Sequence, residues 1–153
     1  AAIANGGVMI KPTLLKRDGP TIGVRVISEK TAEESVKMLR RVVLEGTATL
    51  GDVPGYEVAG KTGTADKPKK SGGYYHDKVV NTFASMFPAS NPQYVLIVTL
   101  DEPQDDTLSE TRRTAGWTAV PVAAEIIRRV APLMGLRPKL EPVAPDAVTA
   151  ASN

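Results

Sequence analysis

The sequence predicts an α+β fold in which an antiparallel sheet is flanked by helices. Two β-rich runs, "KVVNTFASMF" and "QYVLIVTL", are joined by the short turn "PASNP", so they are expected to pair antiparallel. Apolar residues recur at helical spacing in one segment before these strands and in one after them. With 153 residues, 42% hydrophobic and 24% charged, the chain is long enough to bury a core.

The first segment, "AAIANGG", is predicted to be the last turn of a helix that stops at Gly6 and Gly7. Glycine accepts the left-handed conformation in which many helices end. A chain that opens on a helix end is expected to be a piece of a longer protein. "VMIKPTLLKRDG" predicts short extended segments that turn at Asp18-Gly19, and "GVRVI" predicts another brief strand.

A helix is predicted from Ser28 to Gly46. Either Ser28 or Thr31 can cap its first turn, and Thr31 with Glu34 has the spacing of a capping box. Four apolar residues recur at helical spacing and predict the buried face, namely Ala32, Val36, Leu39 and Val43.

"GYEVAGKTGT" predicts a strand, with Tyr56, Val58 and Gly60 on one face and the alternate residues on the other. The polar run from Ala65 to Asp77 contains a proline and two glycines, so a flexible loop is expected there.

"WTAVPVAAEIIRRVAPLMG" predicts a closing helix with Pro121 in its first turn, where no amide hydrogen is needed. Trp117 is expected to pack this helix onto the sheet. Residues 137–153 are rich in proline and alanine without periodicity, so they are predicted to be a disordered tail behind an ordered region of 1–136. Four apolar residues recur at helical spacing and predict the buried face of the closing helix, namely Val122, Ile126, Val130 and Leu133.

Composition excludes several classes of function. A formal charge of +2 with scattered basic residues does not predict a nucleic-acid partner. The chain has no cysteine, which rules out disulfides and thiolate metal sites. No run approaches the length of a membrane span, and no signal peptide is present in these residues. No cofactor is predicted.

Two polar groups resemble catalytic or metal sites only superficially. His76 lies in a run rich in glycine and lysine with no serine motif nearby, so it is interpreted as a surface residue. The acidic residues after the last predicted strand lack the spacing of a calcium loop and are interpreted as a solvated turn, with no metal expected. They are Asp101, Glu102, Asp105 and Asp106.

The residues from Gly55 to Thr62 fit the phosphate-loop pattern G-x-x-x-x-G-K-[ST]. That loop requires a hydrophobic strand before its first glycine, a bare loop, and a helix that opens at the Lys-Thr pair. "TLGDVP" is turn-like, "YEVA" alternates like a strand, and "GTADKPKK" interrupts any helix with glycine and proline. The sequence therefore predicts no nucleotide site.

Lys61 to Thr64 also spell K-T-G-T, a motif of serine acyl-transfer enzymes. Lys61 can supply a positive charge near a nucleophile, and the hydroxyls of Thr62 and Thr64 can donate to a carboxylate. Gly63 has no side chain, so a substrate backbone can lie along the strand edge, where an amide N–H can face an oxyanion.

Together with K-T-G-T, three further segments carry a resemblance to a known family: "AIANGGVMIKPTLLK", "NTFASMFPASNPQYVLIVTLDEP" and "TAGWTAVPVAAEIIRRV". The sequence over 1–136 resembles the C-terminal part of class B penicillin-binding proteins, which are peptidoglycan D,D-transpeptidases, and is most similar to their septal, division-specific branch. The resemblance implies a penicillin-binding and serine β-lactamase-like antiparallel sheet flanked by helices. This chain would carry three sheet strands and the closing helix.

The resemblance also implies roles for the motif residues. Lys61 and Thr64 are the expected catalytic residues, with Lys61 in the proton network and the Thr64 backbone N–H in the oxyanion hole. Thr62, Gly63 and Thr64 are expected to bind the terminal carboxylate of a D-Ala-D-Ala stem peptide or of a β-lactam. The segment from Gln104 to Gly116 is expected to border the groove.

Further partners and a location follow from the resemblance alone. The upstream portion of the same protein and division-complex proteins are the expected protein partners. The expected location is the periplasmic, outer face of the cytoplasmic membrane, with the anchor outside this chain.

The nucleophile of the family is missing from these residues. No serine is followed by a lysine three positions later, and no S-x-N triplet occurs, so the motifs S-x-x-K and S-x-N are absent. The chain alone is therefore expected to be inactive and to be held by an upstream portion that carries the serine. The alternative is a non-catalytic, penicillin-binding-like module that binds a peptide without chemistry.

Overall fold

A computed structural model describes residues 1–19, 21–104 and 112–139. Two helices and two separate antiparallel sheets confirm the predicted α+β class. Asp105 and Asp106 lie outside the described residues, as does most of the predicted tail, 140–153. The elements in chain order are β1 (Val8–Met9), β2 (Val24–Arg25), α1 (Glu29–Glu45), β3 (Ala59–Pro68), β4 (Tyr74–Phe87), β5 (Tyr94–Asp101) and α2 (Ala119–Leu133).

The N-terminal elements follow the prediction. Ile3–Asn5 form a 3-10 turn that ends at Gly6, whose φ of 59° is left-handed. The strands β1 and β2 then pair antiparallel, with Val8 opposite Arg25.

Helix α1 begins after Ser28, whose hydroxyl accepts a hydrogen bond from the Thr31 N–H at 3.0 Å. The alternative cap at Thr31 and its capping box are wrong, because Thr31 lies inside the helix. The helix ends at Gly46 as predicted, and its predicted face is buried at Ala32 and Val43.

The larger sheet has the order β3-β4-β5, with both pairs antiparallel, so β3 and β5 are its edge strands. The turn between β4 and β5 is the predicted "PASNP". Strand β3 begins at Ala59, not at Tyr56, because Glu57 has a left-handed φ of 47° that breaks the extended backbone. The Glu57 carboxylate accepts from the amide and hydroxyl of Ser90, and this hydroxyl lowers the pKa of Glu57.

The prediction of a flexible loop over Ala65 to Asp77 is wrong. Strands β3 and β4 stay paired as far as Pro68 opposite Tyr74, with an irregularity before Pro68 that accommodates the proline. Only the turn 69–73 separates them. Ion pairs support this hairpin, since Lys67 lies 2.8 Å from Asp101 and 2.6 Å from Glu102, and Lys78 lies 3.0 Å from Glu102. His76 is exposed on β4, as predicted.

One face of the sheet is covered by α2. The alternate residues of β4 from Val79 to Phe87 are buried on this face, and Phe83 is completely buried. Pro121 lies in the first turn of α2 as predicted, but the predicted core stripe is wrong, since Val122 and Leu133 are 41% and 85% exposed. The buried residues of α2 are Ala119, Val120, Ala123, Ala124, Ile127 and Ala131.

Alanines explain this shift, because small side chains allow a helix to approach a sheet closely while bulkier residues remain at the sides. The prediction for Trp117 is also wrong. Its side chain is 47% exposed, and the Arg112 guanidinium lies 3.7 Å from the ring centroid.

The opposite face of the sheet is partly open. Ile97 and Val95 of β5 are 63% and 45% exposed, and Ala84 of β4 is exposed as well. None of the helices in the described ranges is long and apolar enough to cross a membrane.

Candidate active site

The K-T-G-T residues are the third to sixth residues of the edge strand β3. The two residues before them, Ala59 and Gly60, are buried and anchor the strand. A Cβ at Gly60 would lie 2.6 Å from the Ala84 carbonyl oxygen and 2.7 Å from the Phe83 ring. Gly60 is thus required for the close packing of β3 against β4. The sequence analysis placed Gly60 on one face of the strand but did not predict this role.

The position of Lys61 and Thr62 in a strand also excludes a phosphate loop at Gly55 to Thr62. A phosphate loop needs a helix that begins at its Lys-Thr pair, whereas Lys61 and Thr62 lie inside β3 and pair with Ala84 and Phe83 of β4. The match from Gly55 to Thr62 is therefore accidental.

Lys61 is exposed and extends along its own strand. Its ammonium donates to the Thr62 carbonyl oxygen at 2.8 Å and lies 3.3 Å from the Thr62 hydroxyl. The charge can therefore interact with a group that approaches β3 from solvent.

The Thr62 hydroxyl is held by the end of α1. It lies 2.7 Å from the hydroxyl of Thr47, which directly follows Gly46. Two hydroxyls at this distance share one proton between them, so the other proton can be donated elsewhere.

The Thr64 hydroxyl is held by the segment between β5 and α2. It accepts a hydrogen bond from the Ala115 N–H at 3.0 Å, which leaves its own proton free to donate. Nearby, Arg113 forms an ion pair of 2.5 Å with Asp66. The described part of the predicted groove segment, residues 112–116, therefore lies beside β3, while 105–111 are outside the described residues.

Gly63 lies between the two threonines and leaves the strand bare. Among the described residues, a Cβ there would meet one atom within 4 Å, the Thr82 carbonyl oxygen at 3.9 Å. The glycine is therefore not required by packing within the described residues, in contrast to Gly60.

Asn81 is a site residue that the sequence reading missed. It lies opposite Thr64 on β4 and is completely buried. Its amide nitrogen donates to the Arg113 carbonyl oxygen at 2.9 Å and to the Thr118 hydroxyl at 2.8 Å. The sequence offers one signal for this role: Asn81 is a polar residue at a position of β4 where the alternation predicts an apolar side chain.

The motif lines neither of the two grooves found among the described residues. A groove of about 900 Å³ lies between α1 and the segment 52–57, lined by residues such as Val36, Arg40 and Pro54, and none of the K-T-G-T residues contributes to it. Lys61 to Thr64 instead form a surface strand, which can act as one wall of a site.

Comparison with known proteins agrees with this fold. Residues 1–128 match the family described as the penicillin binding protein transpeptidase domain. The probable peptidoglycan D,D-transpeptidase FtsI of Caulobacter vibrioides is 38% identical in an alignment of 151 positions that covers 92% of this chain and 26% of that protein. Stage V sporulation protein D of Bacillus subtilis is 32% identical in an alignment of 151 positions that covers 91% of this chain and 22% of that protein.

Solved structures give the same result. Penicillin binding protein 3 of Mycobacterium tuberculosis, complexed with ampicillin, has a TM-score of 0.76 and 30% identity, over 94% of this chain and 35% of that one. The transpeptidase domain of penicillin-binding protein 3 of Burkholderia pseudomallei has a TM-score of 0.76 and 34% identity, over 92% and 41%. The chain thus spans about a quarter of the curated relatives. Because the family match extends over most of its residues, the chain belongs to the penicillin binding protein transpeptidase domain family.

Proposed function

We propose that the protein to which this chain belongs is a peptidoglycan D,D-transpeptidase that works by serine acyl transfer. The observation that carries the proposal is the pair of hydroxyls, Thr62 and Thr64, held beside the exposed Lys61 on an edge strand. Two hydroxyl donors and a cation next to a bare strand edge suit a peptide that ends in a carboxylate. The family match and the names of the relatives support the same activity.

In the proposed reaction, a serine outside this chain attacks the carbonyl carbon between the two D-alanines of a stem peptide. An ester forms, the peptide bond breaks, and the terminal D-alanine leaves as its protonated amine. The amine of a second stem peptide then attacks the ester, which forms the cross-link and restores the serine hydroxyl. A β-lactam would acylate the same serine.

The chain's own residues have three roles in this proposal. The hydroxyls of Thr62 and Thr64 bind the terminal carboxylate, and the bare backbone at Gly63 lets the peptide lie against β3. The backbone N–H of Thr64 stabilises the oxyanion. Lys61 stabilises negative charge near the serine and helps to hold the proton network.

The proposed setting follows from the relatives. Peptidoglycan lies outside the cytoplasmic membrane, so we place the domain on the outer face, with an anchor outside this chain. A septal role with division-complex partners is supported by the similarity to FtsI.

A non-catalytic peptide-binding module is the second candidate. The observation that favours it is the absence of S-x-x-K and S-x-N from these residues. Such a module would bind the same carboxylate through the same threonines but form no covalent adduct.

A labelling experiment separates the two candidates. The full-length protein is incubated with a fluorescent penicillin, denatured and separated by gel electrophoresis, so that only covalent adducts remain fluorescent. We expect the wild type to be labelled and Lys61→Ala to be labelled about a hundredfold more slowly or less. Lys70→Ala is the matched control, because Lys70 is an exposed lysine in the hairpin turn, and it should be labelled at the wild-type rate.

A wild-type protein that binds penicillin reversibly but is never labelled would support the binding module instead. Equal labelling of the Lys61→Ala and wild-type proteins would contradict the role of Lys61.

A further inference from the structure

We infer that Asn81 is a positioning residue for substrate binding: it holds the segment whose backbone orients the Thr64 hydroxyl toward the substrate carboxylate. This inference rests on the proposed function. It concerns a buried side chain on β4 that lies outside the K-T-G-T motif and opposite Thr64.

The two hydrogen bonds of Asn81 tie down both ends of the segment 113–118. The amide nitrogen donates to the Arg113 carbonyl oxygen at 2.9 Å and to the Thr118 hydroxyl at 2.8 Å. Thr118 is itself buried, and its hydroxyl donates to the Thr114 carbonyl oxygen at 3.3 Å. The segment is thereby fixed to β4 through one side chain.

The middle of this segment contacts the motif. Ala115 is completely buried, and its N–H donates to the Thr64 hydroxyl at 3.0 Å. A hydroxyl that accepts from a fixed N–H keeps one proton, whose direction is then restricted. Because Ala115 sits between the two tethered ends, its N–H can occupy this position only while the segment stays in place.

Asparagine is suited to this position by its donors. The Arg113 carbonyl oxygen can only accept, and the Thr118 hydroxyl already uses its proton on Thr114, so both partners of Asn81 need a donor. An amide nitrogen supplies two such protons without charge. An aspartate of the same shape would bring an acceptor against two acceptors.

Stability alone does not account for this asparagine. Its Oδ1 is buried and has no hydrogen-bond partner among the described residues. A buried unpaired oxygen is destabilising, whereas an apolar residue would continue the alternation of Val79 and Phe83. Such local conflicts between sequence and packing are expected at functional sites.

The test compares a carboxylate ligand with the same ligand lacking its charge. Acylation of the full-length protein is measured with benzylpenicillin and with its methyl ester, and the ratio of the two second-order rate constants is taken. In Asn81→Ala we expect the rate constant for the acid to fall by about tenfold or more, which corresponds to the loss of one hydrogen bond to a charged group. The rate constant for the ester should change little. The ratio should therefore fall by about tenfold.

Ser85→Ala is the matched control. Ser85 is a buried polar residue on the same face of β4, but its hydroxyl donates to the Leu96 carbonyl oxygen of β5 and not to the segment. Its ratio should equal that of the wild type. Asn81→Asp keeps the volume of the side chain and should lower the ratio as Asn81→Ala does, which excludes a cavity as the cause.

Hydrogen exchange gives a readout that does not depend on activity. The Ala115 amide should exchange faster in both Asn81 variants than in Ser85→Ala. Equal losses for acid and ester, or an unchanged Ala115 amide, would overturn the inference. If the wild type is not acylated at all, the proposed function fails, and the exchange of Ala115 still decides whether Asn81 holds the segment.

Discussion

At the scale of single residues, two glycines of β3 are expected to respond differently to the same change. Gly60→Ala would place a Cβ 2.6 Å from a backbone oxygen and should destabilise the protein by about 1–3 kcal/mol. Gly63→Ala meets no atom of the described residues closer than 3.9 Å, so the free energy of unfolding should stay within about 0.5 kcal/mol. Thermal unfolding of the two purified variants measures the difference.

Penicillin acylation adds a second readout to this pair. If a substrate lies against β3, a methyl group at Gly63 should slow acylation by about tenfold or more in a protein of unchanged stability. A Gly63→Ala protein that unfolds early, or one that is acylated at the wild-type rate, would contradict the bare-edge interpretation.

At the scale of elements, the buried stripe of α2 can be tested by a pair of substitutions. Ile127 is completely buried, so Ile127→Ala should lower the free energy of unfolding by about 2–5 kcal/mol. Leu133 is 85% exposed, and Leu133→Ala should change it by less than about 0.5 kcal/mol. Denaturant titration measures both changes. A larger loss of stability in Leu133→Ala than in Ile127→Ala would favour the buried face that was predicted from the sequence.

The β3–β4 hairpin should lose order in acid. Lys67 and Lys78 donate to the Glu102 carboxylate and hold its pKa below the usual value. A lowered pKa in the folded state means that the contribution is present above the unfolded-state pKa of about 4.3 and is lost as pH falls through the folded value. The protection factors of amides 66–80 should therefore decrease below about pH 4.

Glu102→Gln provides the control for this titration. The amide cannot ionise, so hairpin protection should be lower at neutral pH, and its decrease in acid should be smaller than in the wild type. The same acid response in both proteins would assign the effect to other carboxylates, such as Asp101, which also contacts Lys67.

At the scale of the whole molecule, the open sheet face predicts how the chain behaves by itself. Ile97 and Val95 expose apolar side chains on the edge strand β5. Exposed apolar edge strands promote association, so the isolated chain should aggregate during size-exclusion chromatography. Ile97→Glu should reduce this aggregation while destabilising the full-length protein, where we expect the face to be covered. A monomeric isolated chain with a sharp thermal transition would contradict this expectation.

Much of the fold was predictable because its signals are local. Ser28 and Gly46 bound α1, "PASNP" joins two paired strands, and Lys61 to Thr64 lie on a strand as their alternation indicated. The predictions were wrong where contacts with residues distant in the sequence determine the local structure. The segment from Ala65 to Asp77 contains a proline and two glycines, which predicted a loop. Pairing with β4 and the ion pair to Glu102 instead extend β3 as far as Pro68.

The sequence by itself determined the resemblance to the family, the presence of K-T-G-T and the absence of S-x-x-K and S-x-N from these residues, because these depend on residue identity and spacing. The tertiary structure alone decided which alanines of α2 are buried, that Gly60 and not Gly63 is required by packing, and that Asn81 is linked through Ala115 to Thr64. The physical reason is that burial and hydrogen bonding join residues far apart in the chain, such as Thr64 and Ala115, whose proximity no local pattern records.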